Sequence, residues 1–148
     1  MGDFDFLVGS WNVHNRRLTK RLVGSDEWEE FTAPAVNWSL FGGMANIDEM
    51  TFPDGSKGLT LRLFDPRREE WSLHWASSES GTLFPAVVGT FSNGRGVFHG
   101  DDTEGGTPVR VRFTWSDIAP DSARWEQAFS VDGGTGWEVN WTMRFSRM

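Results

Sequence analysis

The sequence predicts an all-β fold, a single closed antiparallel β-barrel of about ten strands connected as a meander. The first observation is a period of two, because apolar and polar residues alternate along most of the chain, as in strands with one buried face. The second is the spacing of turns, since clusters of Gly, Pro, Asn and Asp interrupt these runs roughly every 8 to 12 residues. No amphipathic helix longer than one turn is visible, and no edge strand carries protecting features, which favours closure. We expect one domain covering residues 1–148.

Composition narrows the class of protein further. The chain contains nine Trp and twelve Phe, and this much aromatic bulk needs a large enclosed volume. Its net charge of -7 disfavours nucleic acid as a partner, because phosphates repel an acidic surface. There is no Cys for disulfides or thiolate metal sites, and no apolar run reaches the roughly 20 residues of a membrane span. We therefore expect a cytoplasmic protein without membrane insertion.

The first third of the chain predicts a helical turn and four strands. The segment from Asp3 to Gly9 is short and apolar and ends in glycine, which indicates one turn of helix or 3₁₀ helix that lids the domain. Strands are expected over residues 10–22, 28–34, 36–40 and 44–52. The break in the second of these is placed at Pro34, because proline cannot donate to a strand ladder.

The remaining residues repeat the pattern. Further strands are expected over residues 59–64, 71–76, 86–91, 96–101 and 109–115, with a loop over 78–85. A final hairpin spans 124–145 and turns at the glycine-rich segment 132–136. Its turn resembles a single Asp-box of the sialidase propellers. Propellers repeat that hairpin once per blade, so we interpret the one copy here as turn chemistry, with Asp132 accepting backbone N–H bonds.

The opening of the first strand resembles the start of lipocalin and fatty-acid-binding (calycin) barrels, where Gly9-Ser10-Trp11 matches their glycine, any residue, tryptophan pattern. The resemblance implies that Trp11 plugs the barrel floor and that a basic residue late in the last strand, Arg144, packs across it. The chain also resembles small bacterial lipocalin-like domains of mostly unassigned activity, with a strand count closer to the ten-stranded fatty-acid-binding type. The haem-binding branch is not matched, since its second glycine and C-terminal histidine are missing. No cofactor is expected.

The tryptophans predict which polar residues face the interior. Six are expected inside: Trp11, Trp38, Trp71, Trp75, Trp125 and Trp141. Strict alternation then turns Asn15, Arg17, Glu30 and Gln127 inward as well, and either phase of the fourth strand places Asp48 or Glu49 inside. A buried charge needs a partner, so we expect an ion pair of Arg17 with Glu30 or Asp48. The predicted ligand-binding residues are Asn15, Arg17, Glu30, Trp38, Asp48, Trp75, Trp125, Gln127 and Trp141.

Two alternatives to this lining stay open. The polar groups are solvated if they reach an open rim. If strand bulges reverse a face, His74, Arg62, Arg110 and Arg112 line the cavity instead and favour an anionic ligand.

Three functions are compatible with such a barrel. The first is binding of a hydrophobic or aromatic small molecule in a Trp-lined cavity. The second is an enzyme (isomerase, cyclase or hydrolase) with Glu30, Asp48 or Glu49 as general base and Arg17 stabilising negative charge. The third is a structural or protein-interaction barrel with a filled core, whose outer residues Phe31, Phe41, Phe64 and Phe98 contact a partner or form a homodimer.

No catalytic motif accompanies these candidates, and no metal site is expected. Three histidines lie on separate predicted strands, and the acidic group at Asp101, Asp102 and Glu104 is interpreted as a solvated loop.

Overall fold

A computed structural model of the chain describes residues 2–148. It is a closed antiparallel barrel in which each strand pairs with its neighbours in sequence and the first strand pairs with the last. The predicted meander barrel is confirmed. The ten strands are β1 (Gly9–Leu18), β2 (Trp28–Leu40), β3 (Ala45–Thr51), β4 (Lys57–Asp65), β5 (Glu70–Ser77), β6 (Val87–Ser92), β7 (Arg95–Glu104), β8 (Thr107–Ala119), β9 (Ser122–Ser130) and β10 (Glu138–Arg147).

Helical structure in residues 2–148 is limited to two short 3₁₀ turns, Asp5–Leu7 and Phe41–Gly43. Neither could cross a membrane, since no helix of the described residues is long and apolar enough. The predicted N-terminal turn is confirmed as a lid. Phe4 and Leu7 are buried, and the Phe4 ring meets the Trp71 and Phe91 rings edge-on at 4.9 Å. These contacts seal one end of the barrel with aromatic surface.

The predicted strand break at Pro34 is wrong, because β2 runs through it without interruption. Pro34 lies opposite Asn12 of β1, while pairing between β2 and β3 begins only at Ala35. The missing N–H therefore falls where β2 has no second neighbour to bond, a position at which proline is tolerated.

The closed end of the barrel contains a stacked cation, but not the one expected. The guanidinium carbon of Arg147 lies 4.0 Å from the centre of the Trp11 ring, and the two residues are register partners. The prediction that Arg144 fills this role is wrong. Phe145 points inward, so alternation directs Arg144 to the outer face, where it lies opposite His14, and returns Arg147 to the inside.

Arg147 also binds the segments that surround the floor. Its Nη1 and Nη2 donate to the carbonyl oxygens of Val8 and Phe6, each at 2.8 Å, and its Nε donates to Pro120 at 3.0 Å. Gly9 is required beside it, because a Cβ at that position would approach Nη1 to 2.8 Å and the backbone φ is +116°. The glycine of the sequence pattern thus makes room for the arginine.

The turn of the last hairpin is held by side chains, as predicted. The Ser130 hydroxyl donates to Asp132 Oδ1 at 2.7 Å, and the Gly136 N–H donates to the same oxygen at 2.8 Å. The Gly134 N–H in turn donates to Ser130 Oγ at 2.9 Å. The Gly136 bond, followed by the Ser130 bond, lowers the pKa of Asp132 because both favour the charged carboxylate. These bonds stabilise the turn, in line with the structural interpretation of this hairpin.

The floor predicts unequal roles for two nearby arginines. Arg147→Met keeps much of the apolar stem but removes three hydrogen bonds and the stacked charge, so we expect a loss of about 2 kcal/mol in the free energy of unfolding. Arg144→Met is the matched control and is expected to change it by less than about 0.5 kcal/mol. Urea unfolding measures both, and equal effects would contradict the assignment of Arg147.

Candidate functional site

The interior holds a cavity with two adjoining chambers. The larger, about 540 Å³, lies at the barrel end where β1 finishes and β10 begins, opposite the floor. The smaller, about 60 Å³, lies deeper. Five residues line both: Leu73, Trp75, Phe113, Gln127 and Trp141. A volume of several hundred Å³ is in the range of small-molecule sites in proteins.

Aromatic rings form much of the shared wall. Trp141 lies between Trp75, at 6.3 Å between ring centres, and Trp125, at 5.7 Å. Phe52 adjoins both Trp75 and Trp141 at 6.4 and 6.3 Å. The predicted convergence of Trp75, Trp125 and Trp141 is therefore present. Gly58 of β4 admits the Trp75 ring, since a Cβ there would lie 1.9 Å from it.

Arg17 faces the larger chamber, as predicted, but with a different partner. Its Nε and Nη2 both lie 2.7 Å from Glu29 Oε1. Its guanidinium carbon also lies 4.8 Å from the centre of the Trp141 ring and 5.0 Å from that of Phe31. The expected pairing with Glu30 or Asp48 is wrong, because Glu29 is the register partner of Arg17.

Arg21 is a site residue that the sequence reasoning missed. Its Nη1 lies 3.7 Å from Glu104 Oε1, and its guanidinium carbon lies 5.4 Å from the Phe129 ring centre. Burial lowers the pKa of Arg21, and the Arg17 charge lowers it further while Glu104 opposes the shift. Arg21 lies four positions after Arg17 and within the strand predicted over residues 10–22, although β1 ends at Leu18. Following the alternation from Arg17 to Arg21 would therefore have placed Arg21 inside.

Three predicted site residues lie on the outer face. Trp38 is 50% exposed, and Glu49 is exposed with Oε1 3.4 Å from Lys57 Nζ. Glu30 reaches the rim of the larger chamber from outside, where its Oε1 lies 2.9 Å from His14 Nε2. The expected inward orientation of Trp38 and Glu30 is wrong because Arg17 pairs with Glu29, which fixes the phase of β2.

The inner chamber contains an ion pair. Arg62 Nη1 lies 2.7 Å from Asp48 Oδ2 and donates to Asn46 Oδ1 at 2.8 Å. Asn46 Oδ1 also accepts from Asn37 Nδ2 at 3.0 Å. Arg62 is only 4% exposed, and its Nε has no hydrogen-bond partner among the described residues. Asp48 is thus inside, as one of the two predicted phases of this strand required.

Arg62 was expected inside only if a bulge reversed a strand face, and no bulge interrupts β4. The pairing of β4 with β3 and β5 is continuous, so β4 simply places its leucines Leu59, Leu61 and Leu63 outside and Arg62 inside. His74, Arg110 and Arg112, which shared that alternative, do not line either chamber.

Asn15 and Gln127 are inward, with different roles. Asn15 is fully buried, accepts the Trp141 Nε1–H at 2.9 Å and donates to Val13 at 3.1 Å, so it positions Trp141 without lining the cavity. Gln127 lines both chambers and donates to Asn140 Oδ1 at 2.9 Å. Asn140 is buried at a bulge between β9 and β10 that the regular alternation of the last hairpin did not reveal.

The histidines do not come together. Within residues 2–148, no group of three or more His, Asp or Glu side chains is placed to hold a metal ion. His99 lies beside Trp137 on the outer face, where burial lowers its pKa and the charges of Arg110 and Arg112 add to the shift. It is therefore neutral near pH 7.

Comparison with known proteins supports the fold. No family model matches the chain, and no curated protein sequence does either. A solved structure, that of the S-type phycobiliprotein lyase CPES from Guillardia theta, is similar to it with a TM-score of 0.62 and 12% sequence identity. The similarity covers 98% of this chain and 90% of the lyase chain. This chain has a calycin-like fold. At 12% identity the similarity shows the barrel architecture alone.

The Asp48–Arg62 pair predicts non-additive stability effects. Arg62→Met leaves the Asp48 charge unpaired in the interior, so we expect a loss of about 3 kcal/mol in the free energy of unfolding. The double variant Asp48→Leu/Arg62→Met removes both charges and is expected to recover at least about 1 kcal/mol of that loss. Urea unfolding of both single variants and the double variant measures the coupling; strictly additive losses would contradict the pair.

Proposed function

We propose that the protein binds a hydrophobic or aromatic small molecule in its barrel cavity. The observation that supports this is the larger chamber, about 540 Å³, with Trp75, Trp141, Phe31 and Phe52 on its walls. A packed barrel of this size would leave no such space, because protein interiors are filled almost as tightly as crystals. The cytoplasmic location expected from the sequence stays a prediction.

An enzymatic role has weaker support. Of the three carboxylates considered as a general base, Glu30 and Glu49 lie on the outer face and only Asp48 lines the inner chamber. One of its oxygens is already engaged by Arg62 at 2.7 Å, so a substrate would have to compete with this ion pair for the carboxylate. Catalysis stays an alternative because the similar solved barrel is named as a lyase. If a substrate is identified, full turnover of it by an Asp48→Asn variant would contradict Asp48 as the general base.

Binding is tested with a neutral apolar probe, N-phenyl-1-naphthylamine, whose fluorescence rises in dry surroundings. We expect saturable binding at one site. Ser77→Trp fills the mouth of the larger chamber and is expected to weaken binding tenfold or more. The matched control Ser72→Trp adds the same ring to the outer face of the same strand, because Trp71 next to it points inward, and it should change the affinity by less than twofold.

The outcomes of this titration separate the proposal from its rivals. Absence of saturable fluorescence with a folded, monodisperse sample would count against a ligand cavity. Equal weakening by the two tryptophan variants would place the probe on the surface instead.

A second candidate function, self-association, is favoured by the outer face of β2, β3 and β4. We name this face the outer apolar stripe: Trp38, Leu40, Phe41, Ile47, Leu61 and Leu63. Trp38, Ile47 and Leu61 are register partners in one row, and Leu40 and Leu63 flank Ala45 in the next. Phe41 is 76% exposed at its edge. Trp38, Leu40 and Phe41 are exposed and the other three residues are half-buried. Contiguous apolar groups at a surface mark interfaces.

The candidate partner is a second copy of the chain. The stripe carries no charge. In a two-fold dimer the same face of each copy contacts the other, so an uncharged apolar face can pack against itself. Glu49 and Lys57, which pair with each other at 3.4 Å beside it, supply opposite charges that two copies can exchange. The four phenylalanines expected on this outer surface fit less well. Phe31 lines the cavity, Phe98 is fully buried and Phe64 packs on the core, so of the four only Phe41 is exposed.

Sedimentation equilibrium tests self-association directly. We expect a dimer at tens of micromolar protein, and we expect Trp38→Glu to shift it to monomer, because each copy would then bury a charge in the contact. Val23→Glu, at a 69% exposed residue outside the stripe, is the control and should leave the dimer intact. A wild-type protein that stays monomeric at the highest soluble concentration would rule out this function.

A further inference from the structure

The larger chamber has a surplus of negative charge. Its two arginines are outnumbered by carboxylates, six against two, which leaves four formal negative charges. The six are Glu29, Glu30, Asp54, Glu79, Asp102 and Glu104. Both arginines are already engaged, Arg17 by Glu29 and Arg21 by Glu104. A cleft lined by one sign of charge concentrates ligands of the opposite sign.

Aromatic rings surround the position where a positive charge now lies. The guanidinium carbon of Arg17 is 4.8, 5.0 and 6.0 Å from the ring centres of Trp141, Phe31 and Phe52. The Glu29 carboxylate binds the same guanidinium at 2.7 Å. Ring faces combined with a carboxylate are the elements that proteins use to bind organic cations. The cage of Phe31, Phe52, Trp141 and Glu29 therefore accepts a cation, here one from the chain itself.

We propose that the ligand of this cavity is a hydrophobic organic cation, whose positive group takes the place of the Arg17 guanidinium beside Glu29. Its apolar part extends inward along Trp75 and Leu73, which continue into the inner chamber. This inference rests on the proposed binding function and specifies its ligand class.

The rim offers the displaced arginine another partner. Asp54 lines the same chamber as Arg17, and hydrogen bonds from Ser56 lower the pKa of Asp54, which keeps its carboxylate negatively charged. Arg17 is also 31% exposed along its side chain, which leaves it room to turn toward the mouth. An anionic ligand fits less well, because it would have to break an existing Arg–Glu pair and leave a carboxylate without its partner.

The test uses three probes that share one naphthalene ring system and differ in charge. They are the cation (2-naphthylmethyl)trimethylammonium, the neutral alcohol 2-naphthaleneethanol and the carboxylate anion of 2-naphthaleneacetic acid. Titration calorimetry at low salt is expected to show the cation binding at least tenfold more tightly than the acetate, with the alcohol between them. Raising the salt to about 0.5 M should reduce this difference, because the Debye length falls to a few Å.

Variants at neighbouring positions separate the cage from overall charge. Arg17→Leu frees the cage and Glu29, so we expect the cation to bind about tenfold more tightly. Arg16→Leu removes the same charge from the outer face, where Arg16 lies 4.1 Å over Trp28, and should change binding by less than twofold. Glu29→Gln is expected to weaken binding of the cation tenfold relative to binding of the alcohol.

Each result decides between distinct ideas. Acetate binding as tightly as the cation, or Arg17→Leu weakening the cation, would overturn the cationic ligand and leave the proposed binding function standing. No binding of any of the three probes or of N-phenyl-1-naphthylamine would overturn the binding function itself, and this inference with it.

Discussion

The pairing of the first strand with the last is the constraint on which the structure depends. It closes the sheet, and a closed sheet has an inside that residues from every strand must share. Arg147 secures this closure from within, since its stacked guanidinium on Trp11 and its bonds to Val8, Phe6 and Pro120 draw three chain segments to the seam. The N-terminal lid then covers the same end. One end of the barrel is consequently sealed and the other is free to admit a molecule.

Polar groups inside this barrel are arranged in local partnerships at different depths. Arg62 and Asp48 form one near the sealed end, together with Asn46, and Arg17 and Glu29 form another at the mouth. In each of these two pairs the charges lie on adjacent strands and compensate each other, which lowers the cost of their burial. The aromatic wall lies between the two pairs. The interior therefore has an apolar middle with charged groups at each end, a division that suits an amphiphilic guest.

Sequence reasoning predicted the architecture because alternation and turn chemistry are local properties. It placed Trp11, Trp75, Trp125 and Trp141 inside, and it identified Arg17 and Asp48 as interior charges. It failed where a strand has apolar residues on both faces. In β4 the expected phase turned the leucines inward, yet they cover the outside of the barrel. In β2 Trp38 was likewise expected inside and lies on the outer face. The phase of such strands is set by the register of neighbours, which a single sequence does not contain.

The floor residue was missed for a related reason. Arg144 and Arg147 are both basic and both lie late in β10, so residue type alone did not separate them. The inward position of Phe145 decides between them, and it would have sufficed if alternation had been followed to the end of the strand. The bulge at Asn140 has no comparable signal, because an unpaired residue leaves the pattern of side-chain types almost unchanged.

Three indole N–H groups of the interior have a consequence for selectivity. Trp11 donates to Leu7, Trp71 to Asp3 and Trp141 to Asn15, so these rings have already committed their only polar atom to the protein. What Trp141 offers a guest is its π face, which contacts any flat molecule whatever the order of its heteroatoms. A guest in contact with this face would therefore be selected by the thickness and outline of its flat part, and not by hydrogen bonds to the Trp141 ring.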